Sequence, residues 1–96
     1  MSTKLRVFAV YDEKAAAFIT PFFLPETGMA QRVFTDCIND PEHQFGMHPE
    51  DYSLHQLAIW DATNAKFEVA EKPQLVVSGL QIAAISHQIA RGENDA

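Results

Sequence analysis

The sequence predicts an α+β fold in which two tandem ββα units form a four-stranded, mainly antiparallel sheet with two helices on one face. One observation is a short pattern that occurs twice, at residues 8–18 and 57–67. A second is a helix-start signal after each copy, at Thr27-Gly28 and at Ser78-Gly79. A third is the helical spacing of apolar residues after the first of these signals. The strand order between the two units is left open.

The repeated pattern predicts a β-hairpin in each unit. The first copy reads Phe8-Ala-Val-Tyr-Asp12 and the second reads Leu57-Ala-Ile-Trp-Asp61, and an Ala-x-Phe follows each after a short insert. Asp favours turns because its carboxylate accepts hydrogen bonds from nearby backbone N–H groups. We therefore expect Asp12 and Asp61 to open the two hairpin turns.

The first hairpin is predicted over residues 4–11 and 16–24. Its first strand alternates, which places Arg6, Phe8 and Val10 on one face and the odd-numbered residues on the other. The return strand contains Pro21, which cannot donate to a β-ladder and indicates a sheet edge or a bulge.

An amphipathic helix is predicted from Thr27 to the Asn39-Asp40-Pro41 stop. Apolar residues recur there at helical spacing, with the lone cysteine among them. These residues are Met29, Ala30, Val33, Phe34, Cys37 and Ile38. We expect Cys37 to be a buried packing residue, because a single cysteine has no internal disulfide partner.

The second unit is predicted to follow an ordered loop over residues 41–52, which contains two prolines and one glycine. A hairpin is expected over residues 53–61 and 66–70, and a helix over residues 79–91. Ser78 and Gln81 fit a capping box at the start of that helix. Pro73 is expected to break the chain between the hairpin and the helix.

Length and charge limit the class of protein. The chain has 96 residues and a formal net charge of −6, which fits one domain, residues 1–96, with repeats at 4–40 and 53–91. The acidic balance argues against uniform coating of DNA, because such proteins need a basic surface. No long apolar run or signal-peptide core occurs, so a soluble intracellular protein is expected.

Several segments resemble a known family. Val7-Phe-Ala-Val-Tyr-Asp12, Phe34-Thr-Asp-Cys-Ile-Asn-Asp-Pro41 and His48-Pro-Glu-Asp-Tyr52 occur in order. Together with Thr20-Pro-Phe-Phe23 they resemble the small nonstructural protein of gokushoviruses, the microvirus branch of single-stranded DNA phages. The resemblance implies a phage protein that acts in the host cytoplasm in viral DNA replication, at the switch toward single-stranded genome synthesis, and it brings no catalytic residues.

Catalytic and metal sites are not predicted. His43, His48 and His55 lack the tight paired spacing of zinc ligands, and His87 is isolated. Carboxylates such as Glu50-Asp51 stand at turns, where capping of backbone groups explains them. The sequence also lacks the glycine-rich phosphate loop and the nucleophile motifs of common enzymes. We expect a protein without enzyme activity or cofactor.

Aromatic residues on the predicted sheet suggest a binding surface. Alignment of the repeats assigns three residue pairs to the core face: Phe8 with Leu57, Val10 with Ile59, and Phe18 with Phe67. It assigns Tyr11 and Trp60 to the opposite face, which is open. With nearby cations, that open face could stack unpaired bases. The candidate nucleic-acid-binding residues are Lys4, Arg6, Tyr11, Lys14, Trp60 and Lys66.

The same open face is alternatively a subunit interface, where Tyr and Trp are also common. A homodimer is expected, because exposure of Val7, Ala9, Ile19 and Ala58 would leave much apolar surface. On the residues alone, the subunit interface is the favoured interpretation of the open face. The family resemblance instead favours a replication accessory protein that binds single-stranded DNA or a replication partner. The alternative is an interaction module for capsid assembly or for a host protein.

Overall fold

The computed structural model describes residues 3–94 and the side chains through residue 86. It is an α+β structure, as predicted, in which one curled antiparallel sheet packs against helices. The sheet contains the strands β1 (Lys4–Asp12), β2 (Ala17–Phe18), β3 (Phe22–Leu24), β4 (Tyr52–Asp61) and β5 (Lys66–Ser78). The α-helices are α1 (Thr27–Ile38), α2 (Gln44–Met47) and α3 (Gly79–Asn94), and a 3-10 turn spans Pro49–Asp51.

The two long strands β1 and β4 lie at the centre of the sheet and pair antiparallel. The order is β2-β1-β4-β5, and β3 also pairs with β1, on the β2 side. The predicted return strand of the first hairpin is thus divided into β2 and β3 around Pro21. Proline removes one ladder donor, so the strand is interrupted where the sequence indicated an edge.

The two hairpin turns share the same local structure. Asp12 Oδ1 accepts the backbone N–H groups of Lys14 at 3.0 Å and Ala15 at 3.2 Å. Asp61 Oδ1 accepts the N–H of Thr63 at 2.9 Å. The residues that close the turns, Ala16 and Ala65, have φ of 54° and 56°. The predicted role of Asp in opening both turns is confirmed.

The tandem ββα arrangement is not confirmed as two equivalent units. The return strand of the first hairpin is two short pieces, whereas β5 is a continuous strand of 13 residues. β5 runs through Pro73, which the sequence predicted to break the chain. Pro73 is tolerated because β5 is an edge strand and residues 70–73 bulge away from its partner β4.

The core lies between the sheet and helices α1 and α3. Phe8 and Leu54 are fully buried there. Helix α1 contributes Ala30, Phe34 and Ile38, which recur every four residues along its buried side. The flanking residues Met29 and Val33 are about half exposed, so the predicted apolar stripe is only partly buried.

Cys37 is half-buried rather than buried. Burial, with the negative charges of Asp36 and Asp40, raises the pKa of its thiol. Because the thiolate is the reactive form, this environment favours an inert thiol.

Helix α3 begins at the predicted capping box. The backbone N–H of Ser78 donates to Gln81 Oε1 at 2.9 Å, and the N–H of Gln81 donates to Ser78 Oγ at 3.1 Å. The next residue, Gly79, is buried against the backbone of Pro49, and a Cβ at this position would overlap the carbonyl oxygen of Pro49. The helix continues to Asn94, beyond the predicted end at Arg91.

The segment between α1 and β4 is ordered, but it is not a plain loop. Asp40 Oδ1 accepts the N–H of Glu42 at 2.9 Å, and His43 Nδ1 accepts the N–H of Phe45 at 3.0 Å. These bonds start the single turn of α2. The ring of Phe45 then packs on Tyr52, with ring centroids 4.4 Å apart, and on Phe34 at 5.9 Å. The aromatic ring of Phe45 therefore packs the segment against the core.

Candidate nucleic-acid interface

The sheet has a second face, which we call the open face, on the side opposite the core. Side chains of directly paired residues point to the same face, so the strand register defines its members. The strand residues on this face are Leu5, Val7, Ala9, Tyr11, Phe18, Phe23, Ser53, His55, Ala58, Trp60, Phe67, Val69 and Leu75. None of these is Asp, Glu, Lys or Arg.

The middle of the open face is a floor of small, buried residues. Val7, Ala9 and Ala58 are at most 7% exposed. This corrects the expectation that they lie exposed. Each pairs with a larger residue of the same face: Val7 with Phe23, Ala9 with His55, and Ala58 with Val69. Two of the larger partners are exposed, Phe23 at 42% and Val69 at 72%, and His55 is half-buried.

One end of the open face carries the first ring cluster, formed by Tyr11, Phe18 and His55. Tyr11 and Phe18 are direct partners across the first hairpin, and their ring centroids lie 4.9 Å apart. The ring of His55 stands edge-on to both, at 5.4 Å from Phe18 and 6.4 Å from Tyr11. Phe18 is 41% exposed, so the cluster is open to solvent.

The other end carries the second ring cluster, formed by Trp60, Phe67 and Phe23. Trp60 and Phe67 are direct partners across the second hairpin, with ring centroids 4.7 Å apart. Phe23 lies 6.2 Å from Phe67. Phe67 is more than half exposed. The second cluster therefore repeats the arrangement of the first with a larger ring system.

Tyr11 and Trp60 lie on one face, as predicted, but at opposite ends of it. Trp60 pairs with Leu5, which is six residues from Tyr11 along β1. At about 3.3 Å per residue, roughly 20 Å of strand separates them. The reason is that β1 and β4 run antiparallel, so equivalent positions in the two hairpins lie at opposite ends of the sheet.

The candidate cations do not gather around these rings. Lys4, Arg6 and Lys66 have the strand parity of the core-side face, because Arg6 pairs with Ile59 and both lysines pair with Asp61. Lys66 nevertheless stands beside Phe67 at the second hairpin turn, and Lys14 lies in the first turn, next to the first ring cluster. Two of the four candidate cations, Lys14 and Lys66, thus lie in or beside the hairpin turns that carry the rings, and Lys4 lines a shallow cavity together with Lys66 and Phe67.

Phe18 and Phe67 belong to the open face and not to the core, which corrects the parity assigned by aligning the repeats. The number of residues in each turn could have predicted this placement from the sequence. Four residues separate Asp12 from Ala17 and Asp61 from Lys66, so Tyr11 must pair with Phe18 and Trp60 with Phe67. Because cross-strand partners share a face, Phe18 and Phe67 lie on the same face as Tyr11 and Trp60. Leu57 is displaced as well, because β4 has a bulge between Gln56 and Ala58.

His55 is the imidazole of the open face. Its Nε2 lies 2.9 Å from Ser53 Oγ, whereas Nδ1 is buried without a hydrogen-bond partner. Burial lowers the pKa of His55 below its ordinary value of 6.5. The neutral imidazole is favoured, so the open face stays uncharged at neutral pH.

A separate group of possible ligand atoms lies in the segment before β4. Atoms of His48, Glu50 and Asp51 lie within 4.8 Å of one another. His48 and Glu50 are exposed, and their closest approach is 4.0 Å. Exposed acidic groups commonly lie together without an ion, so we assign no metal to this group.

Comparison with known proteins gives one match. The sequence matches the family model described as Phage ORF5 protein over residues 5–82. The match covers both hairpins, α1 and the start of α3. Comparisons with curated proteins and with solved structures returned no match. Among residues 3–94, no helix is long and apolar enough to cross a membrane.

Proposed function

This chain belongs to the Phage ORF5 protein family, and we propose that it is a non-catalytic, nonstructural phage protein that binds single-stranded DNA during viral replication. The observation that carries the proposal is the open face, where two solvent-accessible ring clusters flank a floor of small, uncharged residues. Aromatic rings of this kind stack unpaired bases regardless of sequence. The resemblance to gokushovirus nonstructural proteins supports the same role.

Affinity on such a face would come from stacking more than from phosphate contacts. The chain carries a formal net charge of −6, and Lys14 and Lys66 are the cations placed at the hairpin turns beside the ring clusters. Few counterions would therefore be released on binding, and the salt dependence of the affinity should be shallow. Double-stranded DNA should bind worse, because its bases are already stacked and cannot reach the rings.

The test is a titration of a fluorescently labelled oligonucleotide, with Trp60 fluorescence measured alongside. Trp60→Ala should weaken binding by about 1–3 kcal/mol, the usual loss for one base–aromatic stack. Lys66→Ala should mainly reduce the salt slope by about one. Val33→Ala truncates an exposed apolar residue on helix α1, on the other side of the sheet, and should bind like the wild type.

A second candidate function is binding to a protein, as a capsid-assembly module or as a contact for a host or replication protein. The specific observation in its favour is that the open face lacks Lys and Arg while exposing Phe67, Val69 and Leu75. Interface cores are depleted of charge and enriched in aromatic residues. Absence of DNA binding at low salt and high protein concentration would favour this candidate.

A further inference from the structure

We propose that the two ring clusters are separate stacking stations for one DNA strand, so that tight binding requires an oligonucleotide long enough to reach both. This inference rests on the proposed function and adds a length requirement to it. The first station is Tyr11 with Phe18 and His55, and the second is Trp60 with Phe67 and Phe23.

The separation of the stations follows from the strand register. Tyr11 and Leu5, the partner of Trp60, lie at the two ends of one strand, about 20 Å apart along β1. At a stacked rise of about 3.4 Å per nucleotide, a strand needs roughly six steps to cover that distance. A di- or trinucleotide can occupy one station but cannot bridge the two.

The surface between the stations permits a strand to pass. Its floor consists of Val7, Ala9 and Ala58, all buried, and none of the residues that the strand register places on this face is a carboxylate. A phosphate backbone crossing the floor would therefore meet no negative side chain among these paired residues. His55 borders the path and is held neutral by its surroundings.

Bridging should produce a step in affinity. Once one end of a strand is stacked, the second station binds its base as an intramolecular event, at high effective concentration. A strand too short to bridge lacks that gain. Beyond the bridging length, additional nucleotides should add little, because the described part of the open face holds no third ring cluster.

The experiment measures the affinity of oligothymidylates from about 2 to about 12 nucleotides, a range that brackets the expected span. We expect weak binding up to about three nucleotides and a rise of about tenfold or more by about seven or eight, followed by a plateau. Tyr11→Leu and Trp60→Leu each keep an apolar residue in the cluster while removing one aromatic face. Either variant should flatten the length dependence and bind the long strand as weakly as the wild type binds a short one.

The outcomes separate the inference from the proposed function. If short and long strands bind equally well and only Trp60→Leu weakens binding, the face has one station and the inference is overturned while DNA binding stands. If no strand binds at low salt, the proposed function fails and the inference fails with it. Val33→Ala again serves as the control and should reproduce the wild-type length curve, and circular dichroism spectra confirm that each variant is folded.

Discussion

At the scale of single residues, protonation of His55 on the open face makes the stability of the fold depend on pH. It is half-buried, its Nδ1 has no hydrogen-bond partner, and burial lowers its pKa below 6.5. The unfolded chain takes up a proton near that ordinary value, whereas the folded protein resists protonation until the pH is lower. Protonation therefore favours the unfolded state, and stability is lost as the pH falls below 6.5.

We expect the free energy of unfolding to decrease between about pH 7.5 and about pH 5, and to level off below the lowered pKa of His55. His55→Gln keeps a polar partner for Ser53 but cannot take up the proton, so its stability should depend less on pH. Urea unfolding at both pH values measures the difference. His48→Gln removes an exposed histidine and should retain the wild-type decrease. An equal decrease in His55→Gln would assign the effect to other groups.

At the scale of elements, the two hairpins share a strained turn. Ala16 and Ala65 adopt the left-handed conformation that glycine prefers, and each closes a turn that an Asp opens. The left-handed region costs a residue with a Cβ about 1–2 kcal/mol. The Tyr11–Phe18 and Trp60–Phe67 pairs therefore flank two turns whose backbone is strained.

Replacement of Ala65 by Gly should raise the free energy of unfolding by roughly 0.5–1 kcal/mol, because relief of the strain exceeds the greater freedom of glycine in the unfolded chain. Thermal unfolding measures the change. Ala62→Gly is the matched control, since Ala62 stands in the same turn without a positive φ, and it should lower stability. A decrease for Ala65→Gly would show that the turn is not strained in solution.

The segment 41–52 depends on a single aromatic anchor. Phe45→Ala removes the ring that packs on Tyr52 and Phe34. Because Phe45 is only partly buried, we expect a loss of about 2 kcal/mol, below the range for a fully buried Phe. The domain should stay folded while proteases cleave this segment faster. Met47→Ala, at an exposed position of the same segment, is the control, and unchanged cleavage in Phe45→Ala would contradict the anchor role.

At the scale of the whole molecule, the open face exposes several large apolar side chains to solvent, and contiguous exposed apolar patches commonly mark interaction sites. Of the four residues expected from the sequence to be exposed, Ile19 is exposed at 41%, whereas Val7, Ala9 and Ala58 are buried. Phe67, Val69 and Leu75 are exposed instead, at 55%, 72% and 58%. Such a face supports self-association into a homodimer, which would compete with DNA unless the dimer encloses the strand.

We expect sedimentation velocity to show concentration-dependent association at tens of micromolar. Val69→Lys places a charge on the open face and should shift the protein to monomer, because a buried unpaired cation is costly. Leu80→Lys is the matched control at an exposed position on α3. A wild-type protein that remains monomeric throughout would contradict homodimer formation.

The sequence by itself determined the features that depend on near neighbours. The Asp-opened turns, the interruption at Pro21 and the Ser78–Gln81 capping box all follow from hydrogen bonds and sterics within a few residues. The motifs that carry the family resemblance are also short, continuous segments of the sequence. Such features can be predicted because no distant part of the chain is needed to form them.

Only the tertiary structure determined how these turns, strands and helices are arranged relative to one another. Pairing of β1 with β4 joins residues about fifty positions apart, and the bulge between Gln56 and Ala58 changes which side chains share a face. Antiparallel pairing then places Tyr11 and Trp60 at opposite ends of the open face. Long-range register depends on packing of the whole sheet, because one face must be buried against the helices before the other is defined.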